Sequence, residues 1–189
     1  MAVNYFAAVR MTLALIPHWR ARGFGHVVNV STTGVQARNP YFSAYIASKA
    51  ALDAFSDVAG TETLSDNITF TSIRMPLVQT AMIAPSGQLN PMSAITPEQA
   101  AQMVVRALVE RPTRIGTPRG TLSDVWSYLA PRSWRRNLHD LYRRYPDSAA
   151  ALGHSYQPAS QTAPPAPVRR TGLLGILSAV LRRLPGTDR

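Results

Sequence analysis

The sequence has no cysteine, which excludes disulfides and thiolate-bound metal. Its four histidines, His18, His26, His139 and His154, are scattered without HExxH spacing, so neither a structural nor a catalytic zinc site is expected. No apolar run reaches the roughly 20 residues of a membrane-spanning helix. Acids are scarce, 10 Asp and Glu against 20 Lys and Arg, for a formal net charge of +10. Lysine is scarcer still: among those 20 cations only Lys49 is not an arginine. A secretory signal is missing too. The opening MAVNYFAAVRMTLALIPHWR is apolar, but it lacks a basic leading segment and a small-residue cleavage site. It reads instead as a buried helix of the kind found inside a fold.

What is present suffices for one domain with a core: 189 residues, 46% of them apolar. The charge is uneven. Residues 132–189 hold ten arginines against Asp140, Asp147 and Asp188, whereas residues 1–131 are closer to balance. A basic tail suits anionic partners such as lipid headgroups, nucleic acid or a phosphorylated cofactor, or is a solvated, arginine-biased segment.

Hydrophobic spacing predicts a helix over 2–21, a β-branched strand over 26–31, a loop over 32–40, a helix over 41–64 and a strand over 67–75. An irregular stretch, 76–95, has the length of a functional lid. Thr96 as N-cap, Pro97 at the first helical position and Gln99 at the third predict a helix to about Glu110. A short strand is expected within 113–118, then an aromatic helical region over 121–146, interrupted at Pro131. This alternation implies an α/β fold with a parallel sheet, organised as a domain over 1–120 and a helical extension over 121–154. The Pro/Ala/Ser/Gln composition of 155–168 predicts a disordered linker. Residues 169–189 form a basic amphipathic tail: its apolar stretch is flanked by Arg169–Arg170 and Arg182–Arg183 and is suited to lie on an anionic membrane surface or to dock on a partner domain.

In such sheets ligands bind beyond the carboxyl ends of the strands. One loop there holds Ser31, Thr32 and Thr33, another holds Met75 to Thr80, and the helix after the first carries Tyr45 and Lys49, one turn apart on one face. A free phenol, with pKa near 10, is a poor acid at pH 7. A nearby ammonium favours the phenolate and improves it. A loop hydroxyl suits the same carbonyl oxygen. No residue is a hydride source, so a cofactor must supply one.

The segments NVSTTG and NPYFSAYIASKAALDAF together resemble the short-chain dehydrogenase/reductase family. MAVNYFAAVR is similar to that family's central helix with its active-site Asn, and SIRMPLVQTAM to the segment after its sixth strand. The likeness covers about residues 1–115 in consistent order. It implies the C-terminal part of a Rossmann-like, doubly wound parallel sheet. It implies Tyr45 as acid/base and Lys49 as the cation that lowers its pKa and binds the ribose of a nicotinamide cofactor. Asn4 would hold a water in a relay to Lys49, and Thr80 would contact the carboxamide from a loop in which Met75, Pro76 and Val78 also line the cofactor.

Three departures from the family pattern stand out. The substrate-orienting Ser is expected thirteen residues before the Tyr, where this chain has Thr32 with Ser31 beside it; either hydroxyl fits. Where the family has Pro-Gly, this chain has Met75-Pro76. The strand, Gly-rich turn and helix that hold a pyrophosphate are not found, since the GFG at 23–25 precedes a strand. The expectation is that the first half of the domain is absent and that Met1 is an internal methionine of a longer protein or the start of a truncated product.

MPLVQTAMIAP, RIGTPRG and LYRRYPDSAAA look like the reductase domain of actinobacterial-type fatty acyl-CoA reductases. That implies reduction of a lipophilic, fatty acyl-type carbonyl, or the reverse alcohol oxidation, with NADP(H) rather than NAD(H). The alternative within the branch is a reductase for another lipophilic carbonyl. The implied setting is cytoplasmic or peripheral at a membrane, with a homodimer through helices 1–22 and 41–64 and no nucleic-acid partner. Two other readings are an inactive fragment unable to bind the dinucleotide and a basic membrane-associating module.

Overall fold

β-branched and apolar residues alternate along two segments that pair as parallel strands, β1 (Gly25–Thr32) and β2 (Ile68–Met75). Their register runs without a slip from Gly25↔Ile68 to Thr32↔Met75. A two-residue strand, β3 (Arg114–Ile115), adds to the far side of β2, giving the order β1-β2-β3. These elements come from a computed structural model that describes residues 1–80 and 94–144. The described residues all lie within one compact unit, Met1–Tyr156. The middle of the expected lid and the expected linker and tail, 155–168 and 169–189, fall outside the described residues.

A parallel pair needs a helical crossover, and α3 (Ser43–Glu62) supplies it between β1 and β2. On that face of the sheet α1 (Ala7–Arg22) and α3 cover Val27, Ile68 and Phe70, with Ile16, Trp19, Phe55 and Ala59 closing the layer. On the other face α4 (Pro97–Glu110) covers Val28, Ile73, Met75 and Ile115 through Met103, Val104 and Ala107. Ile68 and Ile73 are fully buried. Each contributes on the order of 1.5–3 kcal/mol, from opposite sides of one strand, because successive side chains of a strand alternate.

The expected capping box is present. Thr96 accepts from the Gln99 N–H at 3.3 Å, and the Gln99 side chain accepts from the Thr96 N–H at 2.9 Å. Other boundaries differ from the sequence reading. The expected loop over 32–40 contains a single helical turn, α2 (Gly34–Ala37). The crossover helix begins at Ser43 and not at Tyr41, because Tyr41 takes a left-handed φ of 72° that cannot continue a helix. The aromatic region forms two helices, α5 (Pro118–Leu129) and α6 (Pro131–Arg144). The first starts three residues earlier than expected, where Thr117 accepts from the Gly120 N–H at 3.1 Å. The chain opens on a π-helical turn, Ala2–Phe6, before α1.

Two glycines in GFG do different work. Gly23 closes α1 in the left-handed conformation, φ 72°. Gly25 starts β1 against Trp19, where an added Cβ would lie 2.8 Å from the indole ring. Gly25→Ala is therefore expected to lower stability by about 1–3 kcal/mol, the usual cost of overpacking, read as a drop in the thermal unfolding midpoint.

His26 ties β1 to α4: its Nε2 lies 3.0 Å from the Ala107 carbonyl and its Nδ1 2.8 Å from the Thr69 hydroxyl. The Nε2–H tautomer satisfies both, donating to the carbonyl and accepting from the hydroxyl. Burial, and secondly the charge of Arg111, hold its pKa below 6.5, against the pull of the Ala107 hydrogen bond. Below pH 6.5 the unfolded chain then binds the proton more readily than the folded one, so stability falls as pH drops through that range. Denaturant titrations between pH 7 and pH 5 are expected to show that loss, and His26→Gln to reduce it.

Candidate active site

The in-register pairing of β1 and β2 brings their carboxyl ends to one level, so Thr32 lies opposite Met75. The Thr33 N–H donates to the Met75 carbonyl at 3.0 Å. Helix α3 then rises beside this edge and places Tyr45 and Lys49 along it. Tyr45 is 41% exposed and Lys49 half-buried. The Lys49 ammonium donates to the Val30 carbonyl of β1 at 2.8 Å. Burial lowers its pKa from the ordinary 10.5, partly offset by the carboxylate of Asp53.

The two neighbouring hydroxyls are not equivalent. Ser31 is 2% exposed and turned toward α3, its Oγ 3.5 Å from the Lys49 carbonyl. Thr32 is half-buried, and its Oγ1 accepts from the Gly34 N–H at 3.1 Å. That short turn holds the threonine side chain while leaving its O–H hydrogen without an acceptor among the described residues.

The π-helical turn sets Asn4 against α3, where its amide donates to Ser48 Oγ at 3.2 Å. Ser48 is buried and in turn donates to the Tyr45 carbonyl at 2.6 Å. Asn4 is thus joined to the helix turn that carries Tyr45, through a serine the sequence reading passed over. Beyond β2, Pro76 leads into Leu77–Gln79, which pairs with Ile95 through a parallel bridge, Val78↔Ile95. The Gln79 N–H reaches the Ile95 carbonyl at 2.9 Å and the Ile95 N–H the Leu77 carbonyl at 2.8 Å. The neck of the expected lid is therefore closed, with Thr80 exposed just outside it. Of the expected residues, Tyr45, Lys49, Ser31, Thr32, Met75 and Asn4 gather around the carboxyl end of the two strands. Pro76, Val78 and Thr80 lead away from it toward the lid.

Sequence reasoning also missed a buried ion pair. Asp53, one turn beyond Lys49, accepts from Arg74 Nε at 2.9 Å, with side-chain exposures of 6% and 12%. Arg74 reaches Asp124 of α5 at 3.8 Å, and Arg38 meets the same carboxylate at 3.3 Å. Removing one partner of such a pair typically costs about 3–5 kcal/mol, because the other charge is left buried alone. The signal was legible in part: Tyr45, Lys49 and Asp53 recur every four residues. Arg74, inside a strand pattern, gave none. A cleft of about 570 Å³ opens nearby, lined by Gln36, Arg74, Arg114, Thr117, Asp124 and Tyr128. Tyr45, Lys49 and Thr32 are not in its wall, so the chemistry is read from the strand edge and not from this cleft.

Residues 1–90 match the short chain dehydrogenase family model. A fatty acyl-CoA reductase of Acinetobacter baylyi is 45% identical over 153 residues, 81% of this chain and 52% of that protein. An uncharacterised oxidoreductase of Mycobacterium tuberculosis is 43% identical over 157 residues, 83% of this chain and 46% of that one. The chain belongs to the short-chain dehydrogenase/reductase family. It spans about half the length of these relatives. Among solved structures, a short-chain dehydrogenase from Streptomyces avermitilis superposes with TM-score 0.54 at 25% identity, over 77% of this chain and 61% of that one. One from Burkholderia cenocepacia, in complex with NADP, superposes with TM-score 0.60 at 22% identity, over 72% and 56%. The parallel sheet with helices on both faces is the fold these structures share with the chain.

Because Lys49 is the chain's single lysine, its titration can be read without mutation. Amine-selective acylation mapped to the Lys49 peptide is expected to show a midpoint below 10.5. A midpoint at or above that value would mean that the side chain is not desolvated as the structure shows.

Proposed function

We propose that this chain carries the acid/base half of a short-chain dehydrogenase/reductase that reduces a lipophilic, fatty acyl-type carbonyl or oxidises the matching alcohol. The carrying observation is the exposed phenol of Tyr45 at the carboxyl edge of the sheet, one turn from a desolvated ammonium. In reduction, Tyr45 gives its hydroxyl proton to the carbonyl oxygen, and the Lys49 charge stabilises the phenolate left behind. Thr32, with its uncommitted hydroxyl hydrogen, donates to the same oxygen. Ser31 is too buried to reach it. Ser48 and Asn4 hold the turn that presents Tyr45.

The donor set suits the nicotinamide–ribose end of a dinucleotide: the phenol of Tyr45 and the ammonium of Lys49 lie one helical turn apart, and Thr32 ends the adjoining strand. Lys49 would hold the ribose, and Met75, Pro76, Val78 and Thr80 would flank the ring. When bound, the cofactor supplies the hydride. NADP(H) rather than NAD(H) is the proposed cofactor, as the sequence resemblance implies, and the likeness to the fatty acyl-CoA reductase supports the acyl substrate. Exposed Met11 and Leu15, one turn apart on α1, support a homodimer through that face. No described helix is long and apolar enough to cross a membrane, and a peripheral contact is assigned to residues 169–184.

Tyr45→Phe is expected to lower NADPH-dependent turnover of a long-chain fatty acyl-CoA or aldehyde by about 10²–10⁴-fold, the usual worth of a general acid, with unchanged thermal unfolding. Unaltered turnover would sink the mechanism. The lack of a Gly-rich strand–turn–helix in the 189 residues favours a second reading, in which this chain alone does not hold the dinucleotide. Micromolar binding of NADPH, followed by its fluorescence, would exclude that.

A further inference from the structure

Three elements meet beside the site, and the links between them do not fix their spacing on their own. Helix α3 carries Tyr45 and Lys49, α2 follows directly on the Thr32 loop, and α5 packs beneath α2. One side chain touches all three. Arg74 pairs in register with Ser31 on β1. Its Nε donates to Asp53 of α3 at 2.9 Å. Its Nη1 lies 3.8 Å from Asp124 of α5. In the amide orientation that satisfies both groups, the Gln36 oxygen of α2 accepts from Arg74 Nη1 at 3.2 Å and from the Thr121 N–H of α5 at 3.3 Å.

Gln36 is itself 3% exposed, and Gly120 makes room for it, since an added Cβ there would collide with its amide. The second oxygen of Asp53 is buried without a partner, so this carboxylate is oriented by Arg74 alone among the described residues. The charged and titratable groups around Lys49 are Tyr45 and Asp53 on α3, with Arg74 behind Asp53. Arg38 and Asp124 meet the network beyond Arg74. β1 and the opening turn present the neutral Val30 carbonyl, Ser31 and Asn4.

We propose that Arg74 is the positioning residue of this site: its guanidinium fork sets the distance between the Thr32 hydroxyl and the Tyr45–Lys49 helix, and it orients Asp53 as the buried counter-charge behind Lys49. The proposal rests on the reading of Thr32, Tyr45 and Lys49 as the site. Arginine is required because a rigid fork serves two directions at once, whereas an ammonium on a flexible stem meets only one. The other arginines of the network do not substitute for it. Arg38 reaches Asp124, Ser127 and the Tyr128 ring but not α3.

The test uses the intact chain and two variants, read by amide hydrogen exchange and by acylation of Lys49 at one fixed pH. R74K keeps a cation for Asp53 but has no second arm for Gln36. It is expected to exchange the Thr33 and Gly34 amides at least tenfold faster, with strand amides such as Val28 unchanged. D53L/R74M removes both charges together, a replacement that buried ion pairs commonly tolerate without unfolding. It is expected to keep strand protection, loosen the same loop amides and acylate Lys49 at least threefold faster, because the carboxylate no longer favours the ammonium.

The proposal is overturned if the loop amides of R74K exchange as in the parent chain, or if strand and loop amides rise together, which marks a merely structural role. It is equally overturned if the double variant leaves Lys49 reactivity unchanged. Neither readout needs turnover, so an inactive protein would count against the reductase reading while these rates still decide the role of Arg74.

Discussion

The unbroken parallel register of β1 and β2 is the constraint on which the rest depends. It ends both strands at the same level and therefore puts Thr32, Met75 and the loops after them side by side. It also requires a crossover, and that crossover is the helix bearing Tyr45 and Lys49. A slip of one residue would exchange the two faces of β2. Ile68 and Phe70 would then leave the α1/α3 layer, and Arg74 would point at α4 in place of Asp53.

The two faces are used differently. The α4 side is apolar toward the carboxyl end, at Ile73 and Met75, and carries at its other end the hydrogen-bonded His26, Thr69 and Thr71, which tie the strands to α4 and to the Pro112 carbonyl. The α3 side begins apolar, at Ile68 and Phe70, and becomes polar toward the carboxyl end. There Asn29 donates to Ser56 at 2.9 Å, Ser31 faces the Lys49 carbonyl and Arg74 meets Asp53. Buried polar contacts specify geometry more than they add stability. Those at the carboxyl end of the α3 side lie next to the groups read as catalytic.

Much of the fold was legible. The capping box of Thr96 and Gln99, the β-branched runs of both main strands and the punctuation at Gly23 are local signals, and the structure follows them. The errors are local too. Pattern alone puts Tyr41 in a helix, but its ring lies against that of Tyr142, centroids 5.0 Å apart at a tilt of 32°, and its hydroxyl donates to the Tyr142 carbonyl at 3.0 Å. A contact over a hundred residues away in sequence thus holds it outside the helix. The π-turn beneath Asn4 had no sequence signature, since it depends on how the first turn meets Ser48.

By itself the sequence determined the alternation of elements, the four-residue spacing of Tyr45, Lys49 and Asp53, and through its motifs the family. These follow from helix and strand periodicity, which neighbouring residues impose. Only the tertiary structure decided that Ser31 turns inward and that Lys49 rests on the Val30 carbonyl. It alone joined Arg74 to α3, α2 and α5. Each of these choices is made by a partner from another element, brought close by sheet pairing and burial, and no stretch of chain encodes its distant neighbours in its own pattern.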